Sequence, residues 1–152
     1  MTEPDGHSGP DKKRLRMLIN LLRVSRKTES HLREFLRVNH KTTLPRFDVM
    51  AALYRRPEAM TMSKLSRMLL VSNGNATDVV DRLQKEDLVK RSSSPTDKRT
   101  VFVALTLEGR KQFEMQAAAH QIEVNTWFSG MNDVDVDTMT EILKRTNTGD
   151  KA

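Results

Sequence analysis

Residues 61 to 106 read TMSKLSRMLLVSNGNATDVVDRLQKEDLVKRSSSPTDKRTVFVALT. The first half holds two short runs with apolar residues at helical intervals, split by the polar turn Ser72-Asn73-Gly74. The second half alternates apolar and polar residues on either side of SSSPTDKR, a segment too polar to bury. Two short helices and then a hairpin with a basic tip is the order of a winged helix-turn-helix. Such a unit lays its second helix in the DNA major groove and its β-loop beside it.

The helical runs can be placed closely. Ser63 is a good N-cap for a helix that points Leu65, Met68 and Leu69 inward. After a turn at Val71–Gly74 the next helix runs to about Glu86. Its Ala76, Val79, Val80 and Leu83 stand at i, i+3, i+4 and i+7, one core-facing stripe. Leu88–Arg91 and Thr100–Leu105 read as antiparallel strands, the second with Val101, Val103 and Leu105 on one face.

The flanks are helical as well. Over residues 11–38, Leu15, Leu18, Leu22, Leu32, Phe35 and Leu36 recur at helical spacing between Arg and Lys. A helix that long and that apolar on one face needs a bundle or a partner chain. A turn at Asn39–Thr43 leads to a helix with Pro45 in its first turn and Phe47, Met50, Leu53 and Tyr54 as its buried stripe; Pro57 stops it. Met60–Met62 suggests a very short strand. Thr106 can cap a helix over 107–129 carrying Phe113, Ile122, Trp127 and Phe128, broken at Gly130. Asn132 or Asp133 caps a last helix, 132–146, with Val136, Met139, Ile142 and Leu143 inward. The fold class is mainly α with a small β-hairpin wing. Residues 1–10 read as a disordered tail and 147–152 as a frayed one, with a single domain over 11–146.

Charge separates along the chain. Residues 11–41 hold ten Lys/Arg against three Asp/Glu, net +7. Residues 64–111 hold ten against six, net +4, and residues 112–152 hold three against seven, net −4. The overall +6 is weak evidence for a polyanion partner. A charge run is commonly only a solvated helix face; its overlap with the helix-turn-helix raises the functional reading. There is no cysteine, which excludes disulfides and thiolate metal sites. His7, His31, His40 and His120 show no metal-ligand spacing, no catalytic set or phosphate loop is present, and nothing calls for a cofactor. The nine methionines read as adaptable core. No apolar run reaches membrane-spanning length and the N-terminus is not a targeting peptide, so a cytoplasmic protein without a membrane partner is expected.

With Ala76, Val79, Val80 and Leu83 inward, the opposite face shows Gly74, Thr77, Asp78 and Asp81, flanked by Asn73, Asn75 and Arg82. Gly74 lets the backbone approach a phosphate or base closely. Ser72, Asn73, Asn75 and Thr77 cluster at the helix start, where N–H groups and the dipole favour phosphate. Asn and Thr can also meet base edges. The same residue types serve as ordinary turn and cap residues. Asp78 and Asp81 are awkward beside DNA, but Asp78–Arg82 and Asp81–Lys85 are i, i+4 pairs that can neutralise each acid locally. Ser63 and Lys64 begin the preceding helix, with Lys64 where a phosphate should pass. In the wing, Pro95 stiffens the loop and Lys98 and Arg99 make it basic; such a tip can place Arg in a minor groove.

Leu44-Pro45-Arg46-Phe47-Asp48-Val49-Met50, Thr77-Asp78-Val79-Val80-Asp81-Arg82-Leu83, Leu88-Val89-Lys90-Arg91, Asp97-Lys98-Arg99 and Leu105-Thr106-Leu107-Glu108-Gly109-Arg110 resemble, in that order, the MarR family of bacterial transcription regulators. The likeness covers roughly residues 12–146. The Asp-x-Arg wing followed by Leu-Thr-x-x-Gly is its most specific part. It implies a homodimer held by helices at about 11–38, 107–129 and 132–146, around a winged helix-turn-helix at about 43–106 that binds double-stranded DNA. It implies that Arg99 is the minor-groove residue and Asp97 its positioning partner. The family often binds small aromatic acids between the dimer helices and the DNA-reading lobe. Arg37, His40 and Arg46 could pair with such a carboxylate, or be plain solvated residues. One departure is Asp87, where the family usually has Gly: a helix end there favours a left-handed residue, which Asp tolerates less well. The expected function is a dimeric repressor on a pseudo-palindromic operator, relieved by a small aromatic or anionic effector. The alternative is a winged-helix protein-interaction module that no longer reads DNA.

Overall fold

The computed structural model describes residues 10–56, 58–69 and 75–147. Residues 1–9 of the expected N-terminal tail, Pro57, the Val71–Gly74 turn and most of the C-terminal tail lie outside them, while Pro10, expected in the tail, is already helical. The elements are α1 (Pro10–His40), α2 (Leu44–Tyr54), β1 (Met60–Thr61), α3 (Met62–Met68), α4 (Ala76–Lys85), β2 (Val89–Ser93), β3 (Val101–Leu105), α5 (Leu107–Trp127) and α6 (Asp133–Thr146). They fall into two compact units, Met1–Gln116 and Ala117–Ala152.

In the first unit α2 is central. It packs against α1, α3, α4 and β3, and Leu44, Phe47, Val49, Met50, Ala52 and Leu53 are all buried. Burial on several faces is why its apolar residues exceed a single stripe. Thr43 caps it, accepting from the Arg46 N–H, and Pro45 sits in the first turn, where a missing N–H costs nothing. α1 runs two residues past the expected end. It stops where Lys41 turns left-handed, φ 50°, and Thr42 N–H returns to the Leu36 carbonyl at 3.3 Å. Leu65, Val80, Leu83 and Val103 are fully buried and close the core from α3, α4 and the sheet. Phe113 completes it, its ring 5.4 Å from Phe47 and 4.9 Å from Tyr54.

The wing is more than a hairpin. β3 lies between β1 and β2 in an antiparallel sheet of three strands, with Met60 opposite Val103 and Arg91 opposite Val103 from the other side. Only Val103 of the expected Val101/Val103/Leu105 face is fully buried, because it is the one residue covered by both neighbours. Ser63 is not the cap of α3. Thr61 leaves β1 with extended backbone and accepts from Lys64 N–H, so the helix begins two residues earlier, at Met62.

Asp48 is a misfit in this core. Its Oδ2 is buried without a hydrogen-bond partner. Burial, aided by Glu29, pushes its carboxyl up to about 6, while Arg33 and Arg55 pull the other way. The folded value exceeds the unfolded one, so the native state prefers the protonated acid. The ionised form therefore costs stability above about pH 6, and the cost disappears as pH falls toward the ordinary carboxylate value. Asp48→Asn should stabilise the protein by about 1 kcal/mol near pH 7.5, a figure discounted for partial solvent exposure, and by almost nothing near pH 4. Urea unfolding at the two pH values checks this; an equal gain at both would mean ionisation is not the cause.

In the second unit, Asn132 caps α6 through a reciprocal capping box with Asp135. The α6 residues expected inward are not buried in this chain. Val136, Met139, Ile142 and Leu143 are each at least 40% exposed. Leu15, Leu18 and Leu22 of α1 are likewise exposed.

Candidate nucleic-acid interface

α4 is an amphipathic helix with Ala76, Val80 and Leu83 buried and Val79 half-buried. Thr77, Asp78 and Arg82 are exposed on its polar side. Asn75 is its N-cap: its Oδ1 accepts from Thr77 N–H at 3.0 Å. The cap role occupies the amide oxygen, leaving the Nδ2 hydrogens as the donors the side chain can offer a base or phosphate. Ser72, Asn73 and Gly74 lie outside the described residues. Ser63 and Lys64 are exposed on the first turn of α3.

The acids of α4 are handled differently from the i, i+4 expectation. No ion pair joins Asp78 to Arg82 or Asp81 to Lys85 among the described residues. Instead Arg91 of β2 reaches across and pairs with Asp81 at 2.6 Å. The same guanidinium donates to Gln84 Oε1 at 2.7 Å and to the Thr77 carbonyl at 3.4 Å. A strand side chain is a stronger competitor than Lys85 because its planar fork meets several acceptors at once. Ten residues separate Asp81 from Arg91, so no local pattern reveals this contact.

The wing tip is a turn built on Asp97. Its Oδ1 accepts from Arg99 N–H at 3.0 Å, its Oδ2 from the Thr100 hydroxyl at 3.2 Å, and its carbonyl from Thr100 N–H at 3.1 Å. Ser94 N–H to the Thr100 carbonyl at 3.0 Å closes the loop base. Asp97 thus holds the backbone of Arg99, not its guanidinium. Lys98 and Arg99 are exposed and extend from a fixed turn.

Behind α4 the chain turns sharply. Asp87 has φ 58°, its N–H bonds Gln84 O and Leu88 N–H bonds Leu83 O, both at 3.0 Å. This is a Schellman end with an aspartate at the left-handed position, and Leu83 and Leu88 make its buried apolar contact. Leu88 is consumed by this cap, which is why the strand starts at Val89 instead. Thr106 locks the corner: its hydroxyl donates to the Asp87 carbonyl at 2.6 Å and accepts from Gly109 N–H at 3.0 Å. A Cβ on Gly109 would lie 2.8 Å from the Leu88 carbonyl carbon and closer still to its oxygen. The Leu-Thr-x-x-Gly string therefore has a physical reading: a cap, a tether and a close helix-to-turn approach.

The residues considered for an anionic ligand already have partners in this chain. Arg46 pairs with Glu86, and Arg37 pairs with Glu34 at 2.6 Å. The His40 ring meets Phe35 edge-on at 5.5 Å. Arg46 is the most enclosed, with burial and the nearby Arg82 both lowering its pKa and its Nε left without a partner.

Residues 42–101 match the MarR family model. Over 133 residues the chain is 29% identical to the HTH-type transcriptional regulator MhqR of Bacillus subtilis (strain 168), covering 88% of this chain and 90% of that protein. The fold is similar to a MarR family transcriptional regulator from Silicibacter pomeroyi, with a TM-score of 0.78, 28% identity, and 92% and 96% of the two chains covered. In both sequence and fold the chain is similar to MarR family regulators. Both of these relatives are named as transcriptional regulators. A mutant MarR from E. coli, solved in complex with operator DNA, superposes with a TM-score of 0.74 at 26% identity, over 92% of this chain and 99% of the other. This chain presents an N-capped helix and a turn-fixed basic wing on one unit, Met1–Gln116. No helix among the described residues is long and apolar enough to cross a membrane.

Proposed function

We propose that the chain is a dimeric repressor that binds a pseudo-palindromic operator in the cytoplasm and is released by a small aromatic or anionic effector. Residues 11–146 act as one functional domain, with the winged helix-turn-helix at about 43–106. The observation that carries the reading is the pairing of two prepared surfaces: the polar face of α4 and the Asp97-held wing with Lys98 and Arg99 exposed. Ser72, Asn73, Asn75 and Thr77 meet base edges or phosphates at the start of α4, with Gly74 allowing close approach. Ser63, Lys64, Arg82 and Lys98 contact the backbone, and Arg99 enters the minor groove. The rival protein-interaction reading rested on the acids of α4. It loses half of that support, because Arg91 neutralises Asp81.

The test uses a duplex selected by the wild-type protein from a random-sequence pool, beside a scrambled duplex. Arg99→Ala should weaken binding to the selected duplex by about 1–3 kcal/mol while leaving the fold intact. Lys98→Ala and Lys64→Ala should weaken both duplexes alike and flatten the salt slope by about one unit per lost phosphate contact in each subunit. Asn73→Ala, Asn75→Ala and Thr77→Ala should alter base preference at one symmetric pair of positions with little change in salt slope. If all these variants lose affinity equally for both duplexes, α4 is not a reading helix.

A further inference from the structure

We propose that Arg91 is a positioning residue for sequence reading: it sets the rotation of α4 and ties that helix to the wing. The inference rests on α4 being the reading helix. Arg91 touches α4 at Thr77, Asp81 and Gln84, which stand at i, i+4 and i+7 and so form one stripe along nearly the whole helix. Apolar packing of Ala76, Val80 and Leu83 fixes how deep α4 sits. Such packing is non-directional, so it tolerates small rotations and slides. The three polar contacts from one planar fork are directional and define which side chains of the helix face outward.

The anchor itself is rigid. Arg91 lies in β2 directly opposite Val103, the fully buried centre of the sheet. The same β2–β3 pair carries the wing turn at Asp97–Thr100. Arg91 therefore makes the helix and the wing one body, so that α4 and Arg99 keep a fixed spacing. It also removes the charge of Asp81 from a surface that must approach phosphates. The Arg91 side chain is 24% exposed and Asp81 48%, so the fork works from behind the reading face.

Two measurements test this on the full-length protein. Hydrogen exchange of α4 amides in Arg91→Ala should accelerate about tenfold or more relative to α2, with Arg91→Lys intermediate because an ammonium cannot span all three acceptors. Unchanged α4 exchange overturns the proposal whatever the DNA result. With the selected and scrambled duplexes, Arg91→Ala should lose roughly tenfold to a hundredfold in affinity for the selected duplex. Affinity for the scrambled one and the salt slope should hold. Adding Asp81→Ala to Arg91→Ala should cost little more, since the partner is already gone. Equal losses on both duplexes with a flatter salt slope would instead make Arg91 a phosphate contact and overturn the positioning role. If wild-type protein fails to distinguish the duplexes while α4 exchange responds as expected, the clamp stands as a structural device. In that case the reading function and the specificity role built on it fall.

Discussion

Gly109→Ala should be the most damaging single-methyl change in this protein. The expected loss is at least about 3 kcal/mol, enough to unfold a domain of ordinary stability. The added Cβ meets backbone, not a side chain that could swing away: the carbonyl carbon of Leu88 at 2.8 Å and its Cα at 3.1 Å, with the carbonyl oxygen nearer than either. That backbone has nowhere to go. Leu88 N–H is bound to Leu83 O, and Leu88 O accepts from Thr106 N–H, both at 3.0 Å. Relief by moving α5 would break the Thr106 hydroxyl bonds to Asp87 and Gly109. Gly130→Ala is the control. A Cβ there meets nothing within 4 Å and the φ is not positive, so urea midpoints should match wild type. If the Gly109 variant melts like the Gly130 variant, the corner is looser than drawn.

That corner shows what a sequence makes legible and what it hides. The stripe Ala76, Val79, Val80, Leu83 is visible because helical periodicity repeats every few residues and burial enforces it at each one. The left-handed bend at Asp87 is visible because a helix must end before a strand can start, and few residues are available to end it. Caps are less secure. Ser63 and Thr61 are both sound N-cap types two positions apart, and the choice fell to Thr61 because β1 pairs with β3 up to that residue. The two-residue strand β1 falls within the Met60–Met62 segment that the sequence suggests, but its place beside β3 is a tertiary pairing that no local pattern shows. Arg91 is hidden for a stronger reason. Its partner lies across a helix end and a turn, and a closer lysine offered a simpler local pair. Glu86 with Arg46 is hidden likewise, forty residues apart in sequence.

The exposed apolar stripes lead to the other large effect, on assembly. Leu15, Leu18 and Leu22 on α1 are 56%, 45% and 44% exposed, and Ile142 and Leu143 on α6 are 40% and 44% exposed. Leu15, Leu18 and Leu22 follow helical spacing, as Val136, Met139 and Ile142 with Leu143 do, so each set is a seam and not scattered surface leucines. In the proposed homodimer a second copy covers each seam, since a two-fold interface uses the same patch on each subunit. Wild-type protein should therefore sediment as a dimer at micromolar concentration. Leu18→Glu or Leu22→Glu, combined with Ile142→Glu, places acids in the seam of both subunits, where burial without a partner is strongly unfavourable. Such a variant should sediment as a monomer with its helix content kept, because these positions contribute little to the cores of the single units. Its affinity for the selected duplex should fall by roughly a hundredfold or more, since linked half-site binding gives way to one independent contact. Binding to an isolated half-site should change little. A variant that stays dimeric would move the interface off these stripes, and a wild-type monomer would end the two-fold reading altogether.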